Sequence, residues 1–325
     1  MPKGMPDETD LAAATAALRR VADNAERVIA GARDQIEAAV VCLFAEGNLL
    51  LEGVPGVGKT MLARSLAASI DGSFNRVQAT PDLLPSDLTG VSVWDQHAGE
   101  FRFVPGPVFA NVVLVDEINR TTPRTQSALL EPMEERQVTV EGVTYALPRP
   151  YLVVATENPV DQHGTYPLPE GQLDRFMMTV VIGYPDDAAA GEIVTRQLRT
   201  HPIDELGAVV GAGDVVRHQH AVRSVHVERA VVEYVVSLVK ATREHGDVLL
   251  GASPRSMVAL TRAAQSRAVM QGRAYVLPDD VKALAGAVLG HRLVPRSRGT
   301  VASGTALDVV RELLERVPVP LGVPG

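Results

Sequence analysis

The sequence predicts an α/β protein with a doubly wound, parallel-sheet core and a smaller, all-helical second domain. Three observations carry this. The runs "NLLLE" (Asn48–Glu52), "NVVLVDE" (Asn111–Glu117) and "YLVVATENP" (Tyr151–Pro159) have the unbroken apolar character of strands buried on both faces. Stretches with apolar residues at three- and four-residue steps separate them, as helices would. Beyond "YPDD" (Tyr184–Asp187) the pattern turns mostly helical. The expected units are therefore residues 1–184 and 185–325.

Each element follows in order. Residues 11–45 are rich in Ala, Glu and Arg and read as helix. A strand at Leu49–Leu51 leads through "GVPGVGKT" (Gly53–Thr60) into a helix from about Lys59 to Ile70. Thr80–Phe109 is loop-rich, with "VSVW" and "EFRF" alternating around His97–Gly99 as a small hairpin that Trp94 should pack. The strand Asn111–Glu117 is followed by a helix over Thr122–Glu135, where Pro123 suits the first turn and Pro132 is awkward. Arg136–Leu147 alternates about Glu141–Gly142, a second hairpin. Strands at Tyr151–Asn158 and Phe176–Gly183 complete the sheet. Helices are expected near 186–199, 226–245, 254–271 and 278–290, while "RHQH" (Arg217–His220) reads as a solvated loop.

Composition narrows the function. The chain has 325 residues, 46% hydrophobic, enough for a sizeable core. A net charge of −8 argues against a general nucleic-acid binder. The single cysteine, Cys42 in "AAVVCLFA", excludes a disulfide framework and a Cys-based zinc site and reads as buried. "MPKGMPDETD" lacks an apolar signal core, and no apolar stretch reaches the length of a membrane span. A reducing cytoplasm is the expected setting.

The stretch Gly53–Thr60 fits G-x-x-x-x-G-K-[ST]. Across Gly53, Val54, Pro55, Gly56, Val57 and Gly58 the glycines let the backbone approach phosphate oxygens closely, so that the N–H groups of all but Pro55 can point at them. The following helix adds its positive end at Lys59, Thr60 and Met61. Lys59 then reaches the β- and γ-phosphates of ATP, and the Thr60 hydroxyl ligates Mg²⁺. The run "VVLVDE" delivers Asp116 and Glu117 to the carboxyl end of a strand, where open α/β sheets bind ligands. Asp116 suits Mg²⁺, and Glu117 suits the attacking water. Asn158 should emerge beside Asp116 and position that water or touch the γ-phosphate. Arg175, in "EGQLDRF", could be no more than a surface ion pair. Arg255, in "SPRS", opposes the dipole of its own helix and hints at an anion partner.

These motifs together resemble the MoxR family of AAA+ ATPases. The resemblance is carried by "EGVPGVGKT", "QATPDLLPSDLTG", "FVPGPVFAN", "VDEINRTTPRTQSALLEPMEERQVTV", "ATENPVDQHGTYPLPEGQLDRF", "GASPRS" and "LPDDVKALAGAVLGHRL", over about residues 36–293. It implies a Walker A loop at Gly53–Thr60 and a Walker B segment ending in Asp116 and Glu117. Residues 80–109 would be the helix-2 insertion and 136–147 the hairpin before sensor 1. Asn158 would be sensor 1. Arg255 would be sensor 2, in the lid, on the γ-phosphate of its own subunit. Arg175 would be the arginine finger serving a neighbouring subunit. Should Arg175 act only within its own subunit, Arg120 in "EINR" is the next candidate. The resemblance further implies a homo-oligomeric, hexameric ring with chaperone-like activity toward a protein client, often with von Willebrand factor A domain partners. Departures from the family pattern are Gly171 for a usual Ala, Glu157 for a common Gln, and Pro132 in a helix usually free of proline.

The expected function is Mg²⁺-dependent ATP hydrolysis coupled to remodelling or activation of a protein client. One alternative is a chelatase-type subunit driving metal insertion into a cofactor. Another is a nucleotide-gated scaffold with little turnover, against which an intact Glu117 argues.

Overall fold

The computed structural model describes residues 8–158, 164–197, 202–296 and 302–319. Helices α1 (Glu8–Glu26) and α2 (Arg33–Phe44) precede β1 (Leu49–Glu52), α3 (Lys59–Ser69) and β2 (Phe74–Gln78). A short α4 (Pro85–Thr89) leads to the hairpin β3 (Gly90–Asp95) and β4 (Glu100–Pro105), then to β5 (Val112–Asp116). Next come α5 (Pro123–Ser127), α6 (Leu130–Glu135), the hairpin β6 (Gln137–Val140) and β7 (Val143–Ala146), β8 (Leu152–Glu157), α7 (Glu170–Leu173) and β9 (Met178–Val181). The remainder holds α8 (Asp187–Gln197), α9 (Ala212–Arg223), α10 (Arg229–Glu244), β10 (Val248–Leu250), α11 (Pro254–Met270), α12 (Pro278–Leu289), β11 (Val294–Pro295) and α13 (Ala302–Arg316).

The central sheet runs β2-β5-β8-β1-β9, and every neighbouring pair is parallel. Parallel pairing with helices on the faces buries both sides, which is why β1, β5 and β8 are unbroken apolar runs. Alternate residues feed two cores. Leu49, Leu51, Val112, Leu114, Leu152 and Val154 enter a large cluster that continues into α1, α2, α10, α11 and α12. Leu50, Val113, Val115, Val153 and Ala155 enter a smaller one on the opposite face, closed by Met133, Tyr151 and Phe176. The large cluster spans both expected units. Thr15 and Arg19 of α1 hydrogen-bond the Val269 and Met270 carbonyls at the end of α11.

Both hairpins form with the expected pairing, Trp94 opposite Phe101 and Val140 opposite Val143. Phe103 stacks on Tyr145 at 4.0 Å and joins them. Trp94 packs within its hairpin as expected, meeting Phe101 edge to face at 5.1 Å, with the outer part of the ring exposed.

Several expectations change. The helix over 11–45 is two helices, interrupted at residues 27–32. The helix over 122–135 is also two. It restarts at Leu130, so Pro132 sits in a first turn whose N–H groups have no helical partner in any case. Arg217–His220 lies inside α9, not in a loop. There Gln219 is buried and donates to the Leu43 carbonyl at 2.9 Å, which hides the stripe Val215–Gln219–Val222 from an apolar count. Strand β2 and helix α13 are additional. Residues 198–199 of the expected helix 186–199 lie outside the described residues.

Candidate functional site

The loop Gly53–Gly58 leaves β1 and enters α3 at the carboxyl edge of the sheet. Gly58 is the N-cap of α3 in the left-handed region (φ 98°), and no side chain caps the helix. The first-turn N–H groups therefore keep their donors for an anion. Gly53 has a different reason to be glycine, since a Cβ there would lie 2.4 Å from the Ile182 carbonyl oxygen. The Lys59 ammonium donates to the Gly53 and Glu157 carbonyl oxygens. Burial lowers its pKa, and the Asp116 and Glu117 charges oppose that. Its donors thus find partners within the chain, and do not wait for a ligand.

A cleft of about 400 Å³ opens over this loop, lined also by Arg76, Gln78, Asp116 and Glu117. Thr60 Oγ1 stands 3.4 Å from Asp116 Oδ2. Arg76 pairs with the same oxygen at 2.7 Å, and Thr156 donates to Oδ1 at 2.6 Å. Glu117 has left-handed backbone (φ 57°, ψ 50°), a costly conformation for a non-glycine residue and one that clusters at functional sites. Its N–H donates to Thr156 Oγ1 at 2.8 Å. Its carboxylate Oε2 accepts from Gln78 Nε2 at 3.0 Å and pairs with Arg120 Nε at 3.0 Å. Asn158 is buried immediately after β8, the strand beside β5. So the sheet brings Lys59, Thr60, Asp116, Glu117 and Asn158 to one edge.

The residues fit Mg²⁺ with ATP. Among the described residues no group of three or more His, Cys, Asp and Glu side chains could hold a metal alone. Thr60 and Asp116 offer one hydroxyl and one carboxylate, which suits an ion that usually keeps waters and substrate phosphates in its shell. A second cleft of about 270 Å³ adjoins the loop, with walls from Ile29, Val57, Met61, Ile182, Tyr184 and Ile193. Part of it comes from the break between α1 and α2, which the sequence reading treats as continuous helix.

Arg76, Gln78 and Thr156 are site residues that sequence reasoning missed. The first two ride on β2, "FNRVQ", in which only Val77 is buried and whose polar residues mask the strand. The clue is topological: after α3 a doubly wound chain must return through a strand before the next buried one.

Two arginines lie elsewhere. Arg175 follows the four-residue α7 and is not within a helix. It pairs with Glu134 at 3.3 Å and donates to the Gly171 carbonyl, and an added Cβ at Gly171 would meet nothing within 4 Å. Arg255 pairs with Glu134 at 2.5 Å, in the same cleft as Arg175 and away from the phosphate loop. This differs from the expectation that Arg255 reaches its own subunit's γ-phosphate. The reason is how the helical unit docks. Buried Arg292 binds Asp174 at 2.9 Å and the Phe176 carbonyl at 2.6 Å, and Ser253 binds Asp174 at 3.0 Å. These contacts turn the first turn of α11 toward Glu134.

Glu157 and Glu52 end neighbouring strands in direct register. Burial, and then the charge of Glu52, raises the Glu157 pKa to about 7. Folding therefore favours the protonated acid. That contribution is full below the ordinary carboxylate value and is lost as pH rises through about 7. Glu157→Gln is expected to raise the melting temperature by a few degrees at pH 8 and to change it little at pH 5. Calorimetric melting of both proteins at the two pH values checks this, and an equal shift at both would remove ionisation as the cause.

Comparison with known proteins agrees with this geometry. Residues 48–178 match the model of the ATPase family associated with various cellular activities (AAA), and residues 240–313 match the AAA lid domain. The chain is 40% identical to "Chaperone MoxR1" of Mycobacterium tuberculosis over 319 residues, covering 95% of this chain and 84% of that one. It is 33% identical to "Protein MoxR" of Methylorubrum extorquens, covering 90% and 92%. A crystal structure from Cytophaga hutchinsonii, described as a candidate ATPase, superposes with a TM-score of 0.88 at 37% identity, covering 96% of this chain and 98% of that one. An α/β domain and a lid matched in order, and relatives of one name aligned along nearly the whole length, place the chain in the MoxR family of AAA+ ATPases.

Proposed function

We propose that the chain hydrolyses ATP with Mg²⁺ in a hexameric ring of its own copies, and uses the cycle to remodel or activate a protein client. The observation that carries this is the Glu117 carboxylate, set beside Asp116 at the end of β5 and held by Gln78 and Arg120. A scaffold that only binds nucleotide needs the cradle and the lysine, not a carboxylate aimed over the phosphate cleft.

The loop N–H groups and Lys59 take the β- and γ-phosphates. Bound Mg²⁺, on Thr60 and Asp116, would neutralise charge on the phosphate oxygens. Glu117 accepts a proton from the attacking water, with Gln78 fixing one of its oxygens, and Asn158 holds the water or the γ-phosphate. The apolar cleft between Ile29 and Tyr184 suits a purine. Residues 185–325 act as the lid. Arg175, and Arg255 beside it, lie outside the chain's own phosphate cleft, which supports their serving a neighbouring subunit. The relative named a chaperone supports a protein client, and the family resemblance suggests a partner with a von Willebrand factor A domain. Among the described residues no helix is long and apolar enough to cross a membrane.

Chelating Mg²⁺ is expected to stop phosphate release, and Thr60→Ala and Asp116→Ala should each raise the Mg²⁺ concentration needed for half-maximal rate. Light scattering should show ATP driving a larger assembly. Full activity in a strict monomer at tens of micromolar would refute the ring, and an unchanged Mg²⁺ requirement in both variants would move the metal elsewhere.

A further inference from the structure

Two arginines from separate parts of the chain meet on one carboxylate. Arg175 Nε lies 3.3 Å from Glu134 Oε2, and Arg255 Nη2 lies 2.5 Å from Glu134 Oε1. Arg255 Nη1 is also 4.0 Å from Asp174. The cleft around them, about 230 Å³, is lined by five arginines against three carboxylates, Glu46, Glu134 and Asp174. That is a local charge of +2 in a chain of net charge −8.

The three carboxylates are not equivalent. Glu46 is nearly buried between Arg136 and Arg223, at 2.6 Å from each. Asp174 is tied to buried Arg292 and to Ser253. Both are fixed parts of the fold. Glu134 is one-third exposed, and its ion pairs go to Arg175 and Arg255. An exposed pair of this kind holds its partners weakly. A phosphate offers more charge than a carboxylate, and three oxygens to accept guanidinium N–H groups. Arg255, at the positive end of α11, gains further from such an anion.

We propose that Glu134 is an exchangeable counter-ion. In the free subunit it pairs with both Arg175 and Arg255 and holds them together. On assembly the γ-phosphate of a neighbour's ATP takes its place, so the arginines reach that phosphate only after giving up Glu134. Glu134 is thus a positioning residue that sets how readily one subunit activates the next. This rests on the reading that Arg175 serves a neighbouring site.

The test uses mixed full-length subunits. Acceptors carry Arg175→Ala and Arg255→Ala and keep the phosphate loop and Glu117. Donors carry Lys59→Ala and keep both arginines. Donor is titrated into acceptor, co-assembly is verified by light scattering, and ATP hydrolysis is read. Recovery of activity supports the shared site by itself, and no recovery in co-assembled mixtures overturns both that reading and this proposal. With recovery in hand, adding Glu134→Gln to the donor should lower the donor concentration for half-maximal activation by about two- to tenfold. The loss on adding salt should also become steeper, because the cleft gains one net positive charge. Glu134→Asp, which keeps the charge but shortens its reach, should fall between. An unchanged or higher half-point for the Glu134→Gln donor, with its melting temperature preserved, overturns the exchange while leaving the shared site standing. If that donor does not fold, the Glu134→Asp donor decides by the same comparison.

Discussion

Arg175→Ala is expected to bind ATP within a few-fold of wild type and to hydrolyse it at least about a thousandfold more slowly. An arginine supplied to a transferring phosphoryl group is worth about 10³–10⁵ in rate in other nucleotidases, because it meets charge that develops only in the transition state. In this chain Arg175 is absent from the phosphate cleft and pairs with Glu134 in a separate cleft. Its loss should therefore leave the subunit's own cradle intact. The docking contacts of Asp174 with Arg292 and Ser253 do not involve the Arg175 side chain, so the fold should survive. Titration calorimetry and steady-state phosphate release on the same preparation separate binding from turnover. A turnover loss of less than tenfold would make Arg175 structural. Arg120 would not simply replace it, since it already pairs with Glu117 of its own subunit.

Glu117→Gln is expected to keep ATP affinity and to lose about 10²–10⁴ of the rate, the usual contribution of a general base. The amide is nearly isosteric and tolerates the same left-handed backbone, but it cannot take up a proton. It also gives up the ion pair with Arg120, an exposed contact worth little to stability. Single-turnover phosphate release with ATP prebound isolates the chemical step. A rate within a few-fold of wild type would mean another residue activates the water.

Much of the site was legible because its chemistry forces its sequence. A loop that closes on phosphates needs glycines and a lysine at fixed spacing, and a buried parallel strand must be apolar until it reaches its functional end. Those two constraints located Lys59, Thr60, Asp116 and Glu117 and set the sheet that carries them. What escaped is what lacks a local constraint. Strand β2 is only partly buried, so its polar residues Arg76 and Gln78 gave no alternation to follow, yet they hold Asp116 and Glu117. Helix α9 turns buried Gln219 inward, and its stripe reads as broken. The position of Arg255 depends on how the helical unit docks through Arg292, a contact with Asp174 across 118 residues of sequence that no local pattern encodes. Helix α13 was available to the same reasoning, since Ala306, Val309, Val310 and Leu313 form a buried stripe at three- and four-residue steps.

The most direct test of the account is the paired measurement of ATP affinity and phosphate release in wild type and Lys59→Ala. Lys59 is a cation of the phosphate cleft and sits at the first position of α3, directly after the loop, so its removal should abolish tight ATP binding and, with it, Mg²⁺-dependent phosphate release. Near-normal affinity in the alanine variant, or phosphate release that survives it, would contradict the assignment of this cleft as the site of ATP hydrolysis.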